Sequence, residues 1–187
     1  MPVAVSNLTW EDIKDMPESH GRTEIVDGEL VELPVPSPEH QRASMRLGFA
    51  ICPYVESRQL GEFFALPIHV VLDEHVNFEP DLCFIRASRL HLFDSPVFRG
   101  APDLIIEIIS ESNRTHDTVV KFANYEKYGV PEYWLVDQRD PQIRVFHTGP
   151  DGKYHLIGVF RPGETVSSPT FPDLQLDPRA IFPTAAV

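Results

Sequence analysis

Glu107 is the one charged side chain in the run Leu104-Ile105-Ile106-Glu107-Ile108-Ile109, whose apolar character suits a strand buried on both faces. A carboxylate left alone in such a strand loses several kcal/mol of hydration or takes up a proton. It therefore calls for a metal ion, a base or an amide, unless it sits at a strand end in solvent or beside a Lys or Arg. Asp81 opens a second short apolar run, Pro80-Asp81-Leu82-Cys83-Phe84-Ile85, which could lie beside the first, although an Asp after Pro is also an ordinary turn residue. Two neighbouring carboxylates would make a hard oxygen site suited to Mg²⁺ or Mn²⁺. Lys121 follows in the next helical segment. With Asp117 it forms an i,i+4 pair that on a surface is worth a few tenths of a kcal/mol. Yet Lys121 stands among Val119, Val120, Phe122 and Ala123. Turned back toward the sheet, its ammonium could steady a developing oxyanion or orient a hydrolytic water.

Other polar residues say less. Glu39 and His40 open a helix, where a side chain could overhang a cleft, but the ordinary reading of both is solvent-facing. His116 beside Asp117 reads as part of a polar loop. No histidine pair has metal-ligand spacing, no glycine-rich loop has phosphate-binding spacing, and Ser110 lacks the glycine frame of a nucleophile elbow.

The elements that must position these groups follow from pattern. Thr9 to Asp12 is a capping box that opens a short helix ending before Pro17. Thr23 to Val26 and Glu29 to Leu33, joined by Asp27-Gly28, form a hairpin with Ile25, Leu30 and Leu33 inward and the carboxylates outward. Ser37 caps a helix with Pro38 at its first position, and Ala43, Leu47, Ala50, Ile51, Tyr54 and Val55 follow at helical spacing, with Pro53 kinking or framing the last turn. Glu62 to Leu72 reads as one long strand, and Ser88 to Phe93 as a helical turn. After the Glu107 strand a polar loop leads into a helix from about Thr115 to Tyr128, stopped by Gly129. Tyr133 to Val136 is another buried strand, so strand, helix and strand imply a right-handed parallel crossover. Gln142 to His147 and Lys153 to Phe160 make a terminal hairpin, and the proline-rich tail lies over the domain in extended pieces. The expectation is an α/β fold in one domain spanning 1–187: a mixed central sheet flanked by helices with added β-hairpins, a core of about 20–160 and a tail of 161–187.

Composition sets outer bounds. The chain has 187 residues, 42% hydrophobic and 24% charged, enough for one well-buried core. No run is long enough to span a membrane, and the N-terminus lacks the pattern of a signal peptide. Cys52 and Cys83 read as small buried hydrophobes in a reducing cytoplasm. Sixteen Lys and Arg against 28 Asp and Glu give a formal charge of −12. That charge repels phosphate backbones at long range and makes divalent cations natural partners.

Several stretches match a known pattern: Thr23-Glu24-Ile25-Val26-Asp27-Gly28-Glu29-Leu30-Val31, Ser37-Pro38-Glu39-His40-Gln41, Pro80-Asp81-Leu82, Ala101 to Ser110, Lys121 through Tyr125, and Tyr128-Gly129-Val130-Pro131-Glu132-Tyr133-Trp134-Leu135-Val136-Asp137. The chain resembles the Uma-type restriction endonuclease family of the PD-(D/E)XK nuclease superfamily. The resemblance implies a restriction-endonuclease-like fold and Mg²⁺- or Mn²⁺-dependent endonuclease hydrolysis of DNA phosphodiesters. It places the first acid on Asp81 and the second on Glu107, with Pro102-Asp103 a decoy. Together Asp81 and Glu107 would hold the metal, with the Ile108 carbonyl as a further ligand and Glu39 as an indirect one. The superfamily lysine should stand at Ile109, and the resemblance moves it to Lys121. Cleavage of both strands would favour a homodimer. A catalytically silent nuclease-fold accessory protein and a hydrolase of small phosphoesters are the competing readings.

Overall fold

The computed structural model describes residues 7–16, 22–94 and 96–182. In chain order the elements are α1 (Trp10–Ile13), β1 (Arg22–Val26), β2 (Glu29–Leu33), α2 (Pro38–Ser57), β3 (Gly61–Phe64), β4 (His69–Asp73), β5 (Val76–Phe78), β6 (Leu82–Arg86), β7 (Phe93–Asp94), β8 (Val97–Arg99), β9 (Leu104–Ile109), α3 (Phe122–Lys127), β10 (Glu132–Asp137), β11 (Gln142–Thr148) and β12 (Tyr154–Phe160). Short 3₁₀ turns occupy Ala87–Leu92 and Pro178–Ala180, and a π-helical turn at His116–Lys121 leads into α3. No helix among the described residues is long and apolar enough to cross a membrane.

The strands form two mixed six-stranded sheets, ordered β2-β1-β5-β4-β8-β7 and β12-β11-β10-β9-β6-β3. β9 and β10 pair in parallel across the expected crossover, as do β4 and β8. All residues of β9 and β10 are buried, because the pleat presents alternate side chains to two separate apolar layers. One layer joins Leu82, Phe84, Ile106, Ile108 and Trp134 to Ala43, Leu47, Ile51 and Val55 of α2. The other joins Cys83, Ile105, Ile109 and Leu135 to Val76, Phe78 and Tyr125.

Local chemistry explains most boundaries. Ser37 accepts the His40 N–H and Pro38 follows it, so α2 starts where expected. It continues through Pro53 to Ser57. Asp27 and Gly28 adopt φ of 49° and 81°, the positive values that a tight hairpin turn requires. The tail returns to the core through Val166, Phe171, Leu174, Leu176 and Ile181. Buried Glu132 helps to hold it, accepting from Ser168 Oγ, the Thr170 N–H and Trp134 Nε1.

Four details differ from expectation. The stretch Glu62 to Leu72 is two strands, since Pro67 interrupts the ladder and β3 and β4 join different sheets. β5, β7 and β8 are too short to show a period. Glu24 is fully buried rather than outward, because both faces of β1 are covered: Ile25 packs with Trp10 and Val71 while Glu24 faces the charged cluster described below. Cys52 is half-buried rather than buried, whereas Cys83 is buried, and both are free thiols.

Phe171 is fully buried, edge-on to Tyr54 and Phe84 with ring centroids 5.4 and 4.9 Å away. Phe171→Ala should therefore destabilise the protein by about 3–5 kcal/mol in urea unfolding. A loss below ~1 kcal/mol would show that the tail does not belong to the core.

Candidate active site

Antiparallel pairing of β6 with β9 sets Leu82 against Ile106 and Cys83 against Ile105. One further step of the same register brings Asp81 opposite Glu107, where opposed Cβ atoms lie about 4.5–5.5 Å apart. The Asp81 N–H reaches Glu107 Oε2 at 3.4 Å, and the Ile108 N–H donates to Asp81 Oδ2 at 2.8 Å. Asp103 is set apart from this meeting point. It pairs with Arg86 and Arg89.

Lys121 is fully buried, and its Nζ lies 3.0 Å from Glu107 Oε1 and 2.9 Å from Glu24 Oε1. The π-helical turn carries it, with Asp117 also buried, so the Asp117/Lys121 pair is not the surface pair that spacing alone suggests. Tyr125 Oη donates to Glu107 Oε1 at 2.9 Å. On Glu24 the second oxygen meets His116 Nε2 at 2.6 Å, and the Glu79 N–H donates to the first. Around Asp81, Arg22 Nη1 lies 2.6 Å from Oδ1 and His40 Nε2 2.8 Å from Oδ2. Asp81, Glu107 and Lys121 are thus brought together. Glu39 stands away on the exposed face of α2, paired with Arg42.

Six further residues join the set: Arg22, Glu24, His40, His116, Asp117 and Tyr125. His40 is buried against Asp81 rather than solvent-facing, and His116 is tied to Glu24 rather than part of a free loop. Glu24 and His40 lie in two of the matched stretches, T-E-I-V-D-G and S-P-E-H-Q, and that was the signal for them. Tyr125 closes the matched stretch Lys121 through Tyr125, whereas Arg22 and Asp117 carry no comparable local mark.

Four buried carboxylates, Glu24, Asp81, Glu107 and Asp117, surround two permanently charged bases, Arg22 and Lys121. Burial raises the Glu107 carboxyl well above its ordinary value. Lys121 opposes this, while the charges of Asp81, Asp117 and Glu24 add to it. Burial, with Asp81 and Glu24, also pushes Asp117 up to about 6 against the pull of Lys121. Asp81 goes the other way: the His40 hydrogen bond and the Arg22 charge outweigh its burial and hold it below the usual carboxylate range. Glu24 is likewise lowered, by Lys121 and His116 against its burial. The surrounding carboxylates overcome burial and keep Lys121 above its ordinary value, so it remains an ammonium.

Two cavities meet at this cluster. A small one of about 80 Å³ is lined by Arg22, His40, Asp81, Ile108 and Asp117, and a larger one of about 710 Å³ shares Arg22, His40 and Asp81 with it. Among the described residues, no three His, Cys, Asp or Glu side chains converge as a metal centre.

The family described as "Uma2: Putative restriction endonuclease" matches residues 10–179. The chain belongs to the Uma2 family. A crystal structure described as a putative nuclease belonging to DUF820, from Anabaena variabilis, superposes with a TM-score of 0.79 at 23% identity, over 94% of this chain and 97% of that one. It shares the fold of this Uma2 chain. No curated protein matches the chain.

Burial of Lys121 between two carboxylates has a measurable signature. Lys121→Ala leaves Glu24 and Glu107 without their common base, and unfolding in urea should show a loss of about 3–5 kcal/mol. A surface pair would lose only a few tenths.

Asp117 gives a pH signature. Its carboxyl is raised from the ordinary 3.8 to about 6, so between those values the folded state binds more protons than the unfolded. Its contribution to stability therefore falls as pH rises through that window. Asp117→Asn removes the effect, and the variant should gain on the wild type by up to ~3 kcal/mol between pH 4 and 7. A constant difference across the window would show that Asp117 does not titrate there.

Proposed function

We propose that this Uma2 chain is a divalent-metal-dependent endonuclease that hydrolyses DNA phosphodiesters at Asp81, Glu107 and Lys121. The carrying observation is the convergence of two carboxylates from adjacent strands with an ammonium 3.0 Å from one of them. The matched family and the Anabaena variabilis protein of the same fold are both described in terms of nuclease chemistry, which supports this reading.

The donor set fits a hard divalent cation. Mg²⁺ commonly takes one or two carboxylates and keeps several waters, so it does not need a cage of three acidic side chains. Asp81 and Ile108 line the small cavity, and Glu107 lies buried directly behind Asp81, so two carboxylates and the Ile108 carbonyl are the oxygens that would hold the cation. Burial is the main cause that raises Glu107 and Asp117, and the neighbouring carboxylates that add to it also favour an added positive charge. A cation held there supplies charge neutralisation and water activation for phosphodiester hydrolysis.

The chain's own residues do the rest. Lys121 holds Glu107 Oε1 and remains protonated, so it fixes that carboxylate and lends the site a permanent positive charge. His40 and the Ile108 N–H fix the position of Asp81. Arg22 lines both cavities and holds Asp81, so its guanidinium charge stands where a phosphate would arrive.

One observation favours a second reading, a silent nuclease fold kept as an accessory protein: both Asp81 oxygens are already engaged, by Arg22 and His40. Incubation of the protein with plasmid and single-stranded DNA, in Mn²⁺ or in EDTA, separates the two. The endonuclease should cut only with metal, and Asp81→Asn or Glu107→Gln should lower the rate at least ~100-fold, the upper end of what changes around a metal ligand cost. No cutting under any condition leaves the accessory reading, and an Asp81→Asn protein that cuts like wild type would remove Asp81 from the site.

A further inference from the structure

The larger cavity is a groove that begins at the charged cluster and leaves it along α2. Its catalytic end is Arg22, His40 and Asp81, and its far walls are apolar, built from Met45, Phe49, Leu66 and Pro67. Phe49 is 73% exposed, Leu66 78% and Met45 52%. Side chains of that kind gathered in one concave surface mark a binding site more often than accident. The walls are also braced. Ser44 Oγ donates to the Ala65 carbonyl at 3.2 Å. Gly48 lets α2 lie so close to the same segment that a Cβ there would come within 2.9 Å of Ala65 Cβ. The groove is thus preformed, and its occupant must tolerate an apolar lining along its length and a charged end.

Net charge narrows the choice. With a formal charge of −12, the protein has little to gain from neutralising a long run of duplex phosphates. An unpaired strand offers a different handle, since its bases expose flat apolar faces that a duplex keeps stacked. Arg22 stands at the charged end of the groove and Phe49 on its wall, so the same cavity offers a cation for a phosphate and an aromatic face for a base. A cation beside an apolar, aromatic-bearing wall is the combination by which proteins hold single strands through stacking. A second copy of the chain seated in the groove would instead cover Arg22, His40 and Asp81 and close the site.

We infer that the groove receives unpaired bases of a single DNA strand whose scissile phosphate lies at Asp81 and Glu107, so that the preferred substrate is single-stranded DNA, including flaps and frayed ends. This rests on the endonuclease reading for its chemistry, but its binding can be tested apart from cleavage.

A fluorescein-labelled oligonucleotide of mixed sequence, as a single strand and as a duplex, is titrated with the protein in EDTA and followed by anisotropy. Single-stranded DNA should bind at least ~10-fold more tightly than the duplex. Phe49→Ala should weaken single-strand binding ~10-fold, the effect of one lost stacking contact, and Phe49→Trp should retain it. Phe49 is exposed, so these variants should fold, which circular dichroism checks. Equal binding of duplex and single strand, a preference for the matching RNA, no binding at all, or an unaffected Phe49→Ala protein would each overturn the inference. Sedimentation in which wild type dimerises and Phe49→Ala does not would also overturn it, by assigning the groove to a second copy. The two readings fail separately. A protein that binds the strand through Phe49 but never cuts it with Mn²⁺ loses only the endonuclease reading. One that cuts DNA but is indifferent to Phe49 loses only the groove.

Discussion

Lys121 carries its charge where no water reaches it, and the architecture is arranged around that fact. An ammonium in such a place is tolerable only if carboxylates meet it at hydrogen-bond distance. The two that do come from different layers: Glu24 from β1 in one sheet and Glu107 from β9 in the other. The contact therefore joins both sheets and the helix that follows β9. The π-helical turn at His116–Lys121 widens the backbone where the lysine must reach inward, a common use of such turns. Since Glu24, Glu107 and Lys121 each lose their compensation if another moves, the site and the seam between the sheets share one constraint.

Glu132 shows that a carboxylate in an apolar strand need not imply such chemistry. It too is fully buried, on β10, the parallel neighbour of β9. Its partners are an indole N–H, a hydroxyl and a backbone N–H, neutral donors that satisfy it and secure the tail. Glu107 instead shares its surroundings with three other acids and two permanent cations. What distinguishes the two is the charge of the neighbourhood rather than burial. A carboxylate among neutral donors is a structural clamp, whereas one among competing charges is poised to exchange a proton or take up a cation.

Sequence carried the central strands well because their signals are local. The Leu104 to Ile109 run, the Tyr133 to Val136 run and the Ser37-Pro38 helix start each announce themselves within a few residues. The division of Glu62 to Leu72 between two sheets was hidden, since a single proline decides it and the remaining residues suit either strand. Glu24 was misplaced for a related reason. Alternation along a hairpin separates two faces, but it cannot reveal that another layer covers both. Arg22 needed the fold itself: it meets Asp81 from β1, remote in sequence and joined only by packing.

The lysine illustrates what an active-site pattern constrains. A lysine at Ile109 would stand on the same face of β9 as Glu107, because the strand period is two. In this chain Ile109 fills that face with apolar volume beside Ile105 and Tyr125, and the ammonium arrives from the following helix instead. The two routes deliver a positive charge to the same carboxylate from different stretches of backbone. From the helix Lys121 also reaches Glu24, so its charge is held from two sides rather than one. A pattern written as a linear motif records one route to a charge, and the requirement itself is a point in space that more than one element can occupy.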